Sequence, residues 1–333
     1  MHSTRMLALL TSLTAAAAIS AQIRLPPPDL APGASYRVLM VTVGSRDATS
    51  TDIADYDAFV QNDAAAVPQL VALGTTWSAL ASTAAVSARD HTMTDPTPAG
   101  PTGVPIYTPD GTRIADDYDA LWGAATTPLL APPAVFSTGS YANTQTWTGS
   151  RSTGLPRNPY VLGNAGLVAL GGTNNAAAVW FGDGGGAQST LANRHLYGMS
   201  GMLTVPSVPA TQTIRLGTPA NPAAYVPGTT APIIGQAWNP GIDHTTFAPG
   251  SAFDLAVLGW AASNVVTPAY TGTVLVDQLV GINLTALPGS RFLLALPNEP
   301  GLLGVPLWSQ GVSLDTSGAI LLANAIDITI GNL

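Results

Sequence analysis

Apolar and polar positions change rhythm along this chain in a way that divides it. Met6–Ile19 is a largely apolar run rich in Ala and Leu, behind a cationic start at Met1–Arg5 and ahead of the small residues Ser20-Ala21. It is shorter than the roughly 20 residues that span a bilayer, so residues 1–21 are expected to be a secretory signal peptide cleaved after Ala21. No other run is long enough to span a membrane. The Pro-rich stretch 22–35 reads as an extended linker, and Tyr36–Val43 as an opening strand. Thr51–Ala66 has helical spacing: Ile53, Tyr56 and Val60 share a face, Thr51 is a candidate N-cap, and Asp52 and Asp55 lie in the first turn. Gln69–Leu73 stays apolar until Gly74, and Thr75–Ser82 carries Trp77 and Leu80 into a second strand.

Beyond Ser207–Gln212, read as a linker, the period becomes two. Phe253–Trp260, Thr273–Val280, Arg291–Pro297, Val305–Asp315 and Ala325–Ile330 are the clearest strands, with Ile326, Ile328 and Ile330 alternating against Asp327 and Thr329. Repeated strands between Pro-Gly, Pro-Asn and Asp-Thr-Ser-Gly turns point to an all-β sandwich over 213–333.

Gly103–Trp122, GVPIYTPDGTRIADDYDALW, combines the most local signals. Val104, Ile106 and Tyr107 lead into an Asp110-Gly111 turn, a second short strand follows, and Asp116 or Asp117 can cap a helical turn bearing Leu121 and Trp122. Trp147-Thr148-Gly149-Ser150 comes next, then a Gly-rich turn at Gly182–Gly186 and the closing run Leu196–Pro206, LYGMSGMLTVP. These motifs resemble the endostatin-type branch of the C-type-lectin-like fold, where a "PI…DG…I…W…LW" segment precedes a "WTG" strand. The closing run is similar to the ends of other exported bacterial modules, and the C-terminal "NAI-x-x-T-I-G" to β-rich modules of other secreted bacterial proteins. The resemblance implies an α+β C-type-lectin-like domain over 36–206. It differs from endostatin in having no disulfides, so a larger apolar core must replace them.

Composition narrows the chemistry. The chain has 333 residues, 46% of them hydrophobic, and no cysteine. Thiol nucleophiles and zinc–thiolate sites are therefore excluded. Lysine is absent too, and Glu299 is the only glutamate among 19 acidic residues. P-loop phosphate binding, Schiff bases and Lys–Asn isopeptide crosslinks fall away. A net charge of −8 with scattered arginines argues against nucleic acid or heparin-like partners. Aspartate favours caps and turns over helix interiors, as expected of short strands and long loops.

No H-E-x-x-H or G-x-S-x-G motif occurs, and no carboxylate pair stands out for glycoside hydrolysis. A hydrolase is the last of three readings. Calcium is the one candidate cofactor, through Asp110, Asp116, Asp117 and Asp119, with Asp47, Asp52, Asp55 and Asp57 as a second group. The competing assignment makes these residues turn-builders, caps and solvated charges. The E-P-N, Q-P-D and W-N-D signatures of calcium-dependent lectins are absent. Four aromatics could stack on a sugar ring: Tyr141, Trp147, Tyr160 and Trp180. The two tryptophans also fit core positions, whereas the tyrosines sit in polar loops. The expectation is a secreted, non-enzymatic binding or adhesion protein recognising an extracellular glycan or protein through the loops after Trp122. The alternative is a structural component of an envelope, sheath or fibre, self-associating through strand edges such as Ala325–Ile330.

Overall fold

Backbone contacts divide the protein into two units, Val38–Gly201 and a second built from Arg24–Arg37 and Met202–Leu333. The computed structural model describes residues 23–96, 103–182, 184–268 and 270–333, with backbone alone at 278–282. The expected signal peptide at 1–21 lies outside these residues. The architecture is mostly β, with 11% of residues helical, as the scarcity of lysine and glutamate leads one to expect.

Strands of the first unit are β1 (Ser35–Val41), β2 (Trp77–Ala79), β3 (Ile106–Tyr107), β4 (Arg113–Ala115), β5 (Gln145–Trp147), β6 (Leu167–Gly172), β7 (Ala187–Ser189) and β8 (His195–Ser200), the first residues of β1 belonging to the second unit. They run β4-β3-β1-β8-β5-β6-β7. The last strand is thus central. One edge of β8 takes β1 in antiparallel register, Met40 opposite Gly198. Its other edge takes β2, Ala79 opposite Gly198, and then β5 in parallel, Trp147 opposite Leu196.

Four helices connect these strands: α1 (Ile53–Ala65), α2 (Pro68–Val71), α3 (Ala88–His91) and α4 (Tyr118–Trp122). In α1, Tyr56, Val60 and Ala64 are buried at i, i+4, i+8 spacing. Asp52, not Thr51, is its N-cap, accepting from the Ala54 N–H at 3.0 Å. The carboxylate reaches an orphan donor of the first turn one residue later than the sequence pattern suggests.

The 103–122 block folds as its pattern predicts. β3 and β4 pair across a turn in which Gly111 has φ +81°, and Asp117 caps α4 through the Ala120 N–H. α4 turns Tyr118, Leu121 and Trp122 into the core. There Trp122, Trp180, Phe181 and Tyr197 form one aromatic cluster with ring centroids 4.8–6.1 Å apart.

The second unit contains β9 (Leu203–Thr204), β10 (Thr211–Arg215), β11 (Tyr225–Val226), β12 (Ala237–Trp238), β13 (Gly241–Ile242), β14 (Ser251–Val266), β15 (Thr273–Ala286), β16 (Leu294–Ala295), β17 (Pro306–Asp315) and β18 (Ile320–Thr329). Five form an antiparallel sheet in the order β10-β18-β17-β14-β15. The two-stranded pairs β11-β13 and β12-β16 contribute Tyr225, Trp238 and Ile242 to a core with Ala256, Leu258, Ile326 and Ile328 of the sheet. Register shifts at Val257/Gly259 and Ala262/Val265 interrupt the long β14–β15 ladder.

Three sequence readings need correction here. The stretch 22–35 is no free linker: from Arg24 onward it belongs to the second unit. Arg24 pairs with Glu299 at 2.9 Å, Asn298 donates to the Pro28 carbonyl, and Ala34 and Val205 are bonded through their backbones. Prolines lack N–H groups, so such a segment can lie against a surface by packing with few hydrogen bonds to satisfy. Likewise 207–212 is tied down: Val208 donates to the Asn332 side chain, Ala210 to the Leu333 carbonyl, and Thr211 opens β10. Finally, Ala325–Ile330 is not a sheet edge, because β18 lies between β10 and β17.

The Trp147-Thr148-Gly149-Ser150 motif yields a stability prediction. Gly149 has φ +58°, and a Cβ there would lie 2.3 Å from the Ser82 carbonyl oxygen, a rigid backbone atom. Gly149→Ala is expected to destabilise the first unit by about 3 kcal/mol through combined strain and overpacking, read as a lower thermal midpoint with an unchanged far-UV spectrum.

Candidate functional site

After α4 the chain returns along the sheet and forms a tight loop at 134–142. Val41 donates to the Val135 carbonyl and Ser137 to the Val41 carbonyl, so the loop rides on β1. Within it, Phe136 donates to Ser140 and Ala142 to Ala134, each at 2.8 Å. The Ser137 hydroxyl donates to Asp63 of α1 at 2.6 Å, and the Thr173 hydroxyl accepts from the Thr144 N–H. Every turn of the loop is anchored to regular structure.

This frame displays Tyr141, whose surface is 68% exposed. Asn143 and Gln145 are exposed as well, with Ala142 buried and Thr144 half-buried between them. Among the described residues neither amide has a hydrogen-bond partner. An exposed aromatic ring, with exposed amides two and four residues further along the chain, can stack on a ring and bond to hydroxyls or peptide groups. Sequence reasoning found Tyr141 and missed both amides; the polar alternation in YANTQ ahead of Trp147 was the available signal.

The other three aromatics lie elsewhere. Trp147 and Trp180 have no exposed surface, so as built they cannot stack on a ligand. Trp147 donates to the Arg46 carbonyl at 2.9 Å, and Trp180 belongs to the aromatic cluster. Their strand and turn positions face inward because the sheet's apolar side is there. Tyr160 is half-buried, with the Arg157 guanidinium 5.6 Å from its ring centroid.

The candidate calcium carboxylates have other tasks. Asp110 accepts from the Thr108 hydroxyl and the Thr112 N–H in the turn, Asp116 pairs with Arg113 at 3.2 Å, and Asp117 caps α4. Asp119 sits in the first turn of that helix. In the second group Asp47 bonds Thr49, Asp52 caps α1, Asp55 accepts from Ser50, and Asp57 accepts from the Ala79 N–H. Among the described residues no three His, Asp or Glu side chains converge as metal ligands.

Asp90-His91 and Asp243-His244 are neighbours in the sequence, but each histidine meets a different aspartate in the fold. His91 meets Asp57 at 2.9 Å, and His244 meets Asp254 at 2.8 Å. The second contact is buried and densely bonded: Asp254 is 0% exposed and also accepts from Ser251 and Ser313. The other ring nitrogen of His244 faces the Phe247 carbonyl at 2.9 Å. Acceptors on both sides favour the doubly protonated ring. The serines contact the aspartate and not the histidine. Burial works against the charge. Hydrogen bonds to Asp254 and to the Phe247 and Ala248 carbonyls, with the Asp254 charge, outweigh burial and raise the His244 pKa above its ordinary value.

Two clefts accompany these features in the second unit. One of about 460 Å³ lies between Gly241–Thr245 and Gly289–Arg291, with His244 in its wall. The other, about 470 Å³, is mainly aliphatic: Val257, Val274, Val276, Val312, Ile320 and Leu322 line it. Among the described residues no helix is long and apolar enough to cross a membrane.

A pKa raised in the folded state stabilises fully below the unfolded value of about 6.5 and is lost as pH rises through the folded value. Melts taken at rising pH from about 6.5 should therefore show falling stability, and His244→Gln should flatten that slope. His244→Ala, which leaves the buried Asp254 carboxylate without its histidine partner, is expected to cost about 3–5 kcal/mol.

No protein-family model matches this chain, and no curated protein matches it.

Proposed function

We propose that the first unit is a non-enzymatic recognition module of the C-type-lectin-like, endostatin-like kind, carried by a secreted protein, and that it holds an extracellular glycan or protein against Tyr141. The observation that carries the reading is the exposed Tyr141 ring on a loop bonded at every turn, with Asn143 and Gln145 exposed beside it. Preorganisation lowers the ordering cost of binding, so a small aromatic and amide surface can hold a ligand without a deep pocket. The strand–turn–strand–helix order of Gly103–Trp122 and the strand at Trp147 support the family assignment. Fold-level analogy contributes the module type and says nothing of the ligand. Calcium has no necessary part in this reading, since the carboxylates at 110, 116 and 117 already serve the turn, Arg113 and the helix cap.

The test is an array of extracellular polysaccharides and matrix proteins probed with the full chain, in calcium and again in chelator. Binding that is equal in both is expected. Tyr141→Ala should weaken it about tenfold, the loss of roughly 1.4 kcal/mol of stacking, with the thermal midpoint unchanged. Trp180→Ala should instead cost about 3–5 kcal/mol of stability. Binding untouched by Tyr141→Ala, or abolished by chelator, would refute the assignment of the site.

A further inference from the structure

Strand β15 closes one side of the five-stranded sheet, pairing only with β14. It has 14 residues, against about 5–6 in an ordinary strand. Its outer edge is treated in two ways. Over Thr273–Leu275 side chains take the place of a neighbouring strand. Asn221 accepts from the Thr273 N–H and donates its amide to Thr273 and Ala323 carbonyls. Gln310 accepts from the Leu275 N–H, and Arg215 donates to the Leu275 carbonyl at 2.8 Å. Further along, no described strand covers the edge, and among the described residues no side chain bonds to the backbone of 283–286. The strand, TVLVDQLVGINLTA, has no Pro, one of the usual protections of an exposed edge, and Asp277 is its one charge.

We propose that β15 is a homodimer interface, two copies of this chain pairing their β15 strands antiparallel about a twofold axis. An antiparallel edge is its own complement, each copy presenting the N–H and C=O groups that the other lacks. Charge selects this arrangement over a parallel stack. A twofold centred on Gly281 sets Asp277 opposite Thr285 of the second copy. The two carboxylates then lie eight residues, roughly 27 Å, apart, well beyond the screening length of about 8 Å. A parallel, in-register stack would place every Asp277 beside its neighbour. Apolar surface is available next to the ladder, because Val274 and Val276 of the same strand line the aliphatic cleft with Val312 and Ile320. Isologous pairing consumes both edges, so the assembly closes at two and does not grow into a filament.

Sedimentation equilibrium of the full chain over about 1–100 µM should show a monomer–dimer equilibrium in the micromolar range typical of modest interfaces. Thr285→Asp sets a second carboxylate opposite Asp277 of the other copy, and together with Asn283→Asp should weaken dimerisation at least tenfold with an unchanged far-UV spectrum. Thr213→Lys, on β10 at the opposite edge of the sheet, should leave the dimer intact. A monomer throughout, a filament, or a dimer that survives the double substitution would overturn the proposal. None of these outcomes bears on glycan or protein binding at Tyr141.

Discussion

The constraint on which both units depend is that buried backbone N–H and C=O groups must find partners in a chain that makes little helix and mostly short strands. Ladders alone do not meet that demand. Side chains meet the rest: Gln61 accepts from the Trp77 N–H, Asp57 from Ala79 and Ser200 from Val38. In the second unit Asn324 both accepts from and donates to the backbone of Tyr225, and Asn221 and Gln310 clamp the start of β15. A buried polar group left unbonded costs about 1–3 kcal/mol. Few of these short amides and carboxylates could therefore be exchanged without loss.

That demand also accounts for the aspartates. The carboxylates that cluster in the sequence do not cluster as ligands, because each is drawn to the nearest unmet donor: a helix N-terminus, a turn amide or an arginine. The buried His244–Asp254 contact follows the same logic in a charged form. Its two serines and two carbonyls bond the pair on every side.

With most interior polar groups occupied, the proposed recognition uses groups that the scaffold leaves exposed and unbonded. In the first unit this is the Tyr141–Gln145 run, whose backbone is bonded to Ala134 and to Thr173. In the second it is the free part of β15. One offers side chains and the other offers backbone, so they suit different partners and can act independently.

Local chemistry was legible in the sequence. The β1 strand, the α1 helix, the Asp110-Gly111 turn, the Asp117 cap and the alternation of Ile326, Ile328 and Ile330 all follow from propensity and periodicity over a few residues. Tertiary structure decided what depends on distant partners. It placed β8 between β1, β2 and β5, docked the prolines of the lead-in beside Asn298 and Glu299, and buried Trp147 and Trp180. It also made β18 an inner strand and β15 the edge, which alternation cannot distinguish, since a half-buried strand reads the same wherever it lies in a sheet. Periodicity reports which face of an element is covered; only the assembled sheet determines what covers it, and what stays free to bind.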